Sequence, residues 1–174
     1  MATQVEKDIE KKIRKAQTAW ANGVVRIGRA KDDREEYTRL ANQVLDDLYD
    51  FDEEGNFILF KPTLASEVPV RINREQTASY FIGGSIVEDT NGFALTPWKD
   101  VSFAEEFFFA VLDSGDVLVM GRCTFYPYPD STCQITTADY TFGYRKGSMR
   151  IFLHHSSKKM EPKEQTKCQK EQYA

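Results

Sequence analysis

Near Trp98 the spacing of apolar residues in this chain changes from every third or fourth position to every second one. The first spacing belongs to a helix resting on a core, the second to a strand with one buried face. Helices therefore come first and the sheet last, which is an α+β order rather than an alternating α/β one. The 174 residues suit one domain.

Before the switch, Val5, Ile9, Ile13, Ala16 and Trp20 form one helical stripe, which runs on toward Val24 and Ile27. Gly23 and Gly28 weaken its end. Asp32 or Asp33 can cap a second helix, with Glu35 or Glu36 three residues on. Its inner face is Tyr37, Leu40, Ala41, Val44, Leu45 and Leu48, closed by Tyr49 and Phe51 and broken at Gly55. Phe57-Ile58-Leu59-Phe60 reads as a short strand ended by Pro62. Asn73 with Gln76 starts a third helix, whose inner residues are Thr77, Ala78, Tyr80 and Phe81. Gly83-Gly84 stops it.

After the switch, four strands are expected over 98–112, 117–126, 132–145 and 149–157. Short turns join them, so they form an antiparallel meander. The expected architecture is N-terminal helices packed in the concave face of a strongly twisted antiparallel sheet. Residues 5–157 make the domain. Residues 158–174, rich in Lys, Glu and Gln, are expected to be a disordered charged tail.

Net charge is −4 and pI about 5.3, which argues against a nucleic-acid partner. No apolar run approaches the ~18 residues of a membrane span. The charged start, Met1 to Asp8, is unlike a signal peptide. Cys123, Cys133 and Cys168 form no CxxC pair and are odd in number, which suits a reducing compartment.

The chemistry concentrates in Arg150-Ile151-Phe152-Leu153-His154-His155-Ser156-Ser157, which holds both histidines. Strand alternation puts Phe152, His154 and Ser156 on one face, and Ile151, Leu153, His155 and Ser157 on the other. An imidazole and a hydroxyl then share a face ~7 Å apart along the strand. A catalytic zinc usually needs three protein ligands. Two adjacent histidines on opposite faces do not supply them, and the cysteines lack ligand spacing. No metal ligand is assigned, although abundant acidic residues leave a carboxylate-built manganese site open. A proton-abstracting lyase or isomerase would need a buried carboxylate, for which Asp139, Glu105 and Glu106 are the candidates.

Helix, helix, strand, short helix and meander resemble the cone-shaped nuclear-transport-factor-2-like fold, shared by the association domains of calcium/calmodulin-dependent kinases. Leu59-Phe60-Lys61-Pro62-Thr63-Leu64-Ala65, Ser79-Tyr80-Phe81-Ile82-Gly83-Gly84, Gly92-Phe93-Ala94 with Pro97-Trp98, Thr141-Phe142-Gly143-Tyr144 and His154-His155-Ser156-Ser157 resemble the iota-class carbonic anhydrases. That resemblance implies reversible hydration of carbon dioxide to bicarbonate in a pocket inside the cone. It implies Thr63, Tyr80, His154 and Ser156 as catalytic residues, with Thr63, Tyr80 and Ser156 also binding substrate. Leu64 and Phe152 would give carbon dioxide a dry seat. It further implies a homodimer, expected to form through the sheet face, in the chloroplast stroma or cytoplasm. Some relatives are described as using manganese and others no metal; the metal-free reading is the expectation here. The competing readings are a non-catalytic association module and another lyase or isomerase on the same fold.

Overall fold

Thr3 and Glu6 open the first helix as a reciprocal capping box. The Glu6 N–H donates to Thr3 Oγ1 (3.2 Å) and the Thr3 N–H to Glu6 Oε2 (2.6 Å). The structure is a computed structural model that describes residues 3–53 and 55–158. Of the tail expected to be disordered, residues 159–174 lie outside the described residues, and Lys158 ends the last strand.

Helix α1 spans Gln4–Arg29 and buries Ile13, Trp20, Val24 and Ile27, whereas Val5 is exposed. Its two glycines do not end it. They let other elements approach. A Cβ at Gly23 would stand 2.6 Å from the Val44 side chain, and one at Gly28 only 2.7 Å from the Thr96 carbonyl oxygen. Helix α2 spans Arg34–Leu48, and Asp33 caps it by accepting from the Glu36 N–H at 3.0 Å.

Strand β1 (Asn56–Lys61) and strand β2 (Arg71–Asn73) pair antiparallel. Helix α3 (Arg74–Ile82) follows at once, capped by Asn73, which accepts from the Gln76 N–H at 2.9 Å. Gly83, at φ +76°, ends it. Two 3-10 turns, Val87–Asp89 and Phe93–Leu95, lead into the meander. Its strands are β3 (Trp98–Val111), β4 (Val117–Pro127), β5 (Thr136–Tyr144) and β6 (Ile151–Lys158).

The sheet order is β2-β1-β6-β5-β4-β3. The meander is antiparallel as expected, but β1 runs parallel to β6, so the whole sheet is mixed. The crossover is invisible to periodicity, since it depends on where β1 docks. Strand β2 was not expected; it has only three residues and carries Arg71, a fully buried charge. Helix α1 lies across the inner sheet face. Trp20 meets the rings of Phe103, Phe125 and Phe142, and Gln17 Nε2 donates to Tyr140 Oη at 2.6 Å.

One irregularity bears on the site. Gly143 pairs with Leu153 but Tyr144 pairs with Ile151, so β6 carries one extra residue at Phe152. The bulge reverses the alternation at the start of the strand. Ile151 turns inward and is buried, while His154 and Ser156 stay opposite the inward residues Phe142 and Tyr140. Phe152 packs instead against Gly143 and under the Arg145 guanidinium, 4.2 Å from its ring centre.

Candidate active site

Strand β6 delivers His154 and Ser156 to the inner face, and β1 sets Phe60 in register beside His154. The two rings stack at 4.4 Å. Pro62 ends β1, and the next residue, Thr63, places its Oγ1 2.6 Å from Ser156 Oγ. Helix α3 brings Tyr80, which stacks on Phe93 at 4.9 Å and meets Phe60 edge-on at 5.4 Å. These groups surround a cavity of about 340 Å³, walled by the aromatic rings of Trp20, Phe60, Phe93, Trp98 and Phe125. Thr96, Thr136 and Lys158 add polar groups to the lining.

Thr63, Leu64, Tyr80, His154 and Ser156, separated by up to 93 residues of chain, thus line one space. Leu64 is largely exposed and forms part of the rim. Phe152 is not in the lining, which corrects the expected face. The bulge carries its ring to the outside, and Phe60 and the other aromatic walls supply the apolar surface instead. No Asp or Glu lines the cavity among the described residues. Asp139 is paired to Arg122 at 2.8 Å, both half exposed, and Glu105 and Glu106 are exposed.

Burial sets the protonation states. It pushes His154 down from 6.5 to about 3, with a smaller push from His155. It raises Tyr80 to about 12 against the opposing hydrogen bonding from Thr63. At neutral pH the cavity therefore holds a neutral imidazole and a neutral phenol. The linkage has a definite sign. Below about pH 6.5 the unfolded chain binds a proton at His154 that the folded chain refuses. Stability from this site should be complete above that pH and fall away as pH drops toward about 3. Denaturant midpoints measured from pH 7 to 4 should fall less steeply in His154→Gln than in the wild type.

Two features escaped sequence reasoning. Tyr49, expected only to close α2, is fully buried, and its Oη lies 2.9 Å from His154 Nδ1 and 3.0 Å from Trp20 Nε1. A large polar aromatic just past a helix end was the available signal. The second is a clasp on the chain that follows Thr63. The Glu88 carboxylate accepts from the N–H groups of Ser66, Glu67 and Val68 at 2.7, 3.0 and 2.9 Å. Those donors hold its pKa down to about 2. Arg71 Nη2 donates to Glu88 and to Asp89, at 3.0 Å each. Its signal was weak: an arginine beside a hydrophobic strand, with two acids 17 and 18 residues on.

Residues 11–158 match the sequence profile of the family described as metal-independent carbonic anhydrase. The chain belongs to that family. A metal-independent carbonic anhydrase from Nostoc sp. (strain PCC 7120) is 32% identical over 155 residues, covering 85% of this chain and 72% of that protein. The iota-carbonic anhydrase from a cyanobacterium, solved with bicarbonate, superposes with a TM-score of 0.74 at 31% identity, covering 87% of this chain and 93% of the other. A Xanthomonas campestris protein described as a calcium/calmodulin-dependent kinase II association domain superposes at 0.55 and 21% identity, over 92% of this chain and 94% of its own. That likeness is one of fold alone. Carbonic anhydrases of this family hydrate carbon dioxide without a metal ion. Among the described residues, no group of three or more His, Cys, Asp or Glu is placed to hold a metal ion.

Proposed function

We propose that the aromatic-walled cavity is where this metal-independent carbonic anhydrase turns carbon dioxide and water into bicarbonate, with Thr63, Tyr80, His154 and Ser156 as its polar groups. The observation that carries the assignment is the Thr63–Ser156 contact at 2.6 Å, made inside a cavity that also receives His154 and Tyr80.

A zinc enzyme lowers the pKa of bound water to about 7 and so stores hydroxide. Without an ion, water must lose its proton while its oxygen bonds to carbon. One carbon–oxygen π pair moves onto oxygen as it does so. The hydroxyl pair suits both ends of that event. In a bonded pair of hydroxyls, one donates and the other keeps its hydrogen free. The free O–H can pass its hydrogen to the oxygen gaining charge as the donating hydroxyl passes its own along the pair and takes the proton that water loses, so carbonic acid forms and ionises to bicarbonate and a solvent proton. Tyr80, held as a phenol, is a further donor. Such donors act as an oxyanion hole does, in a space poor in water. Burial favours an orienting role for His154 over a proton-storing one. The aromatic walls give carbon dioxide an apolar seat, and Lys158 sets a positive charge beside the anionic product.

The test is stopped-flow hydration before and after exhaustive chelation. Activity should survive chelation and fall at least about 10²-fold in His154→Ala. Loss of activity on chelation, restored by manganese, would overturn the metal-free assignment. Full activity in a folded His154→Ala would overturn the site.

We also propose a homodimer through the outer sheet face. Phe108 and Met120 are direct cross-strand partners on β3 and β4 and are 71% and 60% exposed. Neighbouring apolar side chains of this size seldom face water in a monomer. Sedimentation should report a dimer, and Phe108→Glu a monomer with its fold retained. The free thiols of buried Cys123 and exposed Cys133 support a reducing compartment, with chloroplast stroma and cytoplasm as candidates.

A further inference from the structure

His154 has two ring nitrogens, and one of them is tied. Nδ1 lies 2.9 Å from Tyr49 Oη, and Trp20 Nε1 lies 3.0 Å from that same oxygen. An indole N–H only donates. Tyr49 Oη therefore accepts from Trp20 and still has its own hydrogen to place. Tyr49 is fully buried, and among the described residues His154 Nδ1 is the acceptor within its reach. Were the ring proton on Nδ1, the Tyr49 O–H would be left without a partner in a sealed interior, an arrangement folded proteins avoid. The consistent assignment runs one way: Trp20 donates to Tyr49, Tyr49 donates to Nδ1, and the single ring hydrogen sits on Nε2.

We infer that Tyr49 and Trp20 are positioning residues that lock His154 in its Nε2–H tautomer, so that the ring shows the cavity a fixed neutral donor. The inference rests on the proposed hydration reading and deepens it. An Nε2–H cannot take the proton from water. It can meet an acceptor oxygen, and the oxygen that gains charge in this reaction belongs to the nascent bicarbonate. The site is thereby tuned to a small oxyanion. The ring is also held in place: Phe60 stacks on its face, and Phe142 and Trp20 meet it at 4.7 and 5.7 Å between centres, steeply tilted or edge-on. A histidine so enclosed cannot exchange its nitrogens by flipping without parting those rings.

The test is long-range ¹H–¹⁵N NMR on full-length protein labelled at histidine. Only two histidines are present, and exposed His155 is the internal reference. Wild-type His154 should carry its proton on Nε2 alone. Tyr49→Phe keeps the ring and removes the donor. It should bring an Nδ1–H population into view and lower kcat about 10²-fold, with KM for carbon dioxide little changed. A wild-type His154 protonated on Nδ1 would overturn the inference, and this measurement needs no variant to fold. A folded Tyr49→Phe with wild-type tautomer and kcat would overturn it too. A locked Nε2–H ring in a wild-type protein without hydration activity would support the lock while removing the hydration reading.

Discussion

Ser156→Ala is expected to lower kcat/KM for carbon dioxide hydration about 10²–10³-fold, the usual consequence of removing one donor aimed at developing charge. The variant should fold normally, because Ser156 is only half-buried and alanine leaves little space behind. Thr63→Val removes the partner hydroxyl while conserving shape, and should be similarly severe. The double variant is the informative measurement. Thr63 Oγ1 and Ser156 Oγ are 2.6 Å apart and joined by a hydrogen bond, so each orients the other. Deleting either disarms both, and the double variant should be hardly worse than the singles. Effects that multiply would mean that the two hydroxyls act independently, and the paired-donor account would then fail.

The largest effect on stability is expected at Arg71. Its side chain is fully buried, and it faces two carboxylates, Glu88 and Asp89. Arg71→Ala leaves Asp89 without its cation in a nearly sealed site. Breaking a buried pair by removing one partner costs about 3–5 kcal/mol, which denaturant melts would detect easily. The cluster is not itself ideal: Arg71 Nε and Nη1 and Asp89 Oδ2 have no partner among the described residues. Replacing Arg71 and Asp89 together with apolar residues, with Glu88 kept on its three backbone N–H donors, should therefore be milder than removing the arginine alone. Glu88→Gln separates anchoring from folding. The amide keeps one acceptor oxygen but loses the charge that gathers three backbone N–H groups and Arg71. Its melting temperature should drop modestly, while kcat falls because Thr63, three residues before Ser66, is no longer held against Ser156.

The parts of this molecule legible in the sequence are those governed by local rules. The stripe from Ile9 to Ile27, the cap at Asn73 and the stop at Gly83 depend only on near neighbours and read directly, and the cap of α2 reads to within one residue, Asp32 or Asp33. The meander reads as well, because its turns are short. Three features lay beyond local reading. The parallel docking of β1 on β6 is a long-range choice. The bulge at Phe152 offsets a strand by one residue with no glycine at that position to announce it. The partners of Arg71 become visible only when the chain is folded. The candidate site divides likewise. His154 and Ser156 stand on one strand, so alternation alone joins them. Thr63 and Tyr80 came from the family resemblance, and Tyr49 from neither, since a tyrosine after a helix is most often packing.

The parallel pairing of β1 with β6 has a consequence for how the molecule comes into being. Phe60 lies beside His154, so the cavity is shut only when the last strand docks next to an early one. Closing a loop that long is slow, because its entropy is lost before the contacts form. During synthesis the two helices and the first hairpin of the meander can settle while the final strand is still within the ribosome. A chain stalled short of that strand would have much of its scaffold and no catalyst.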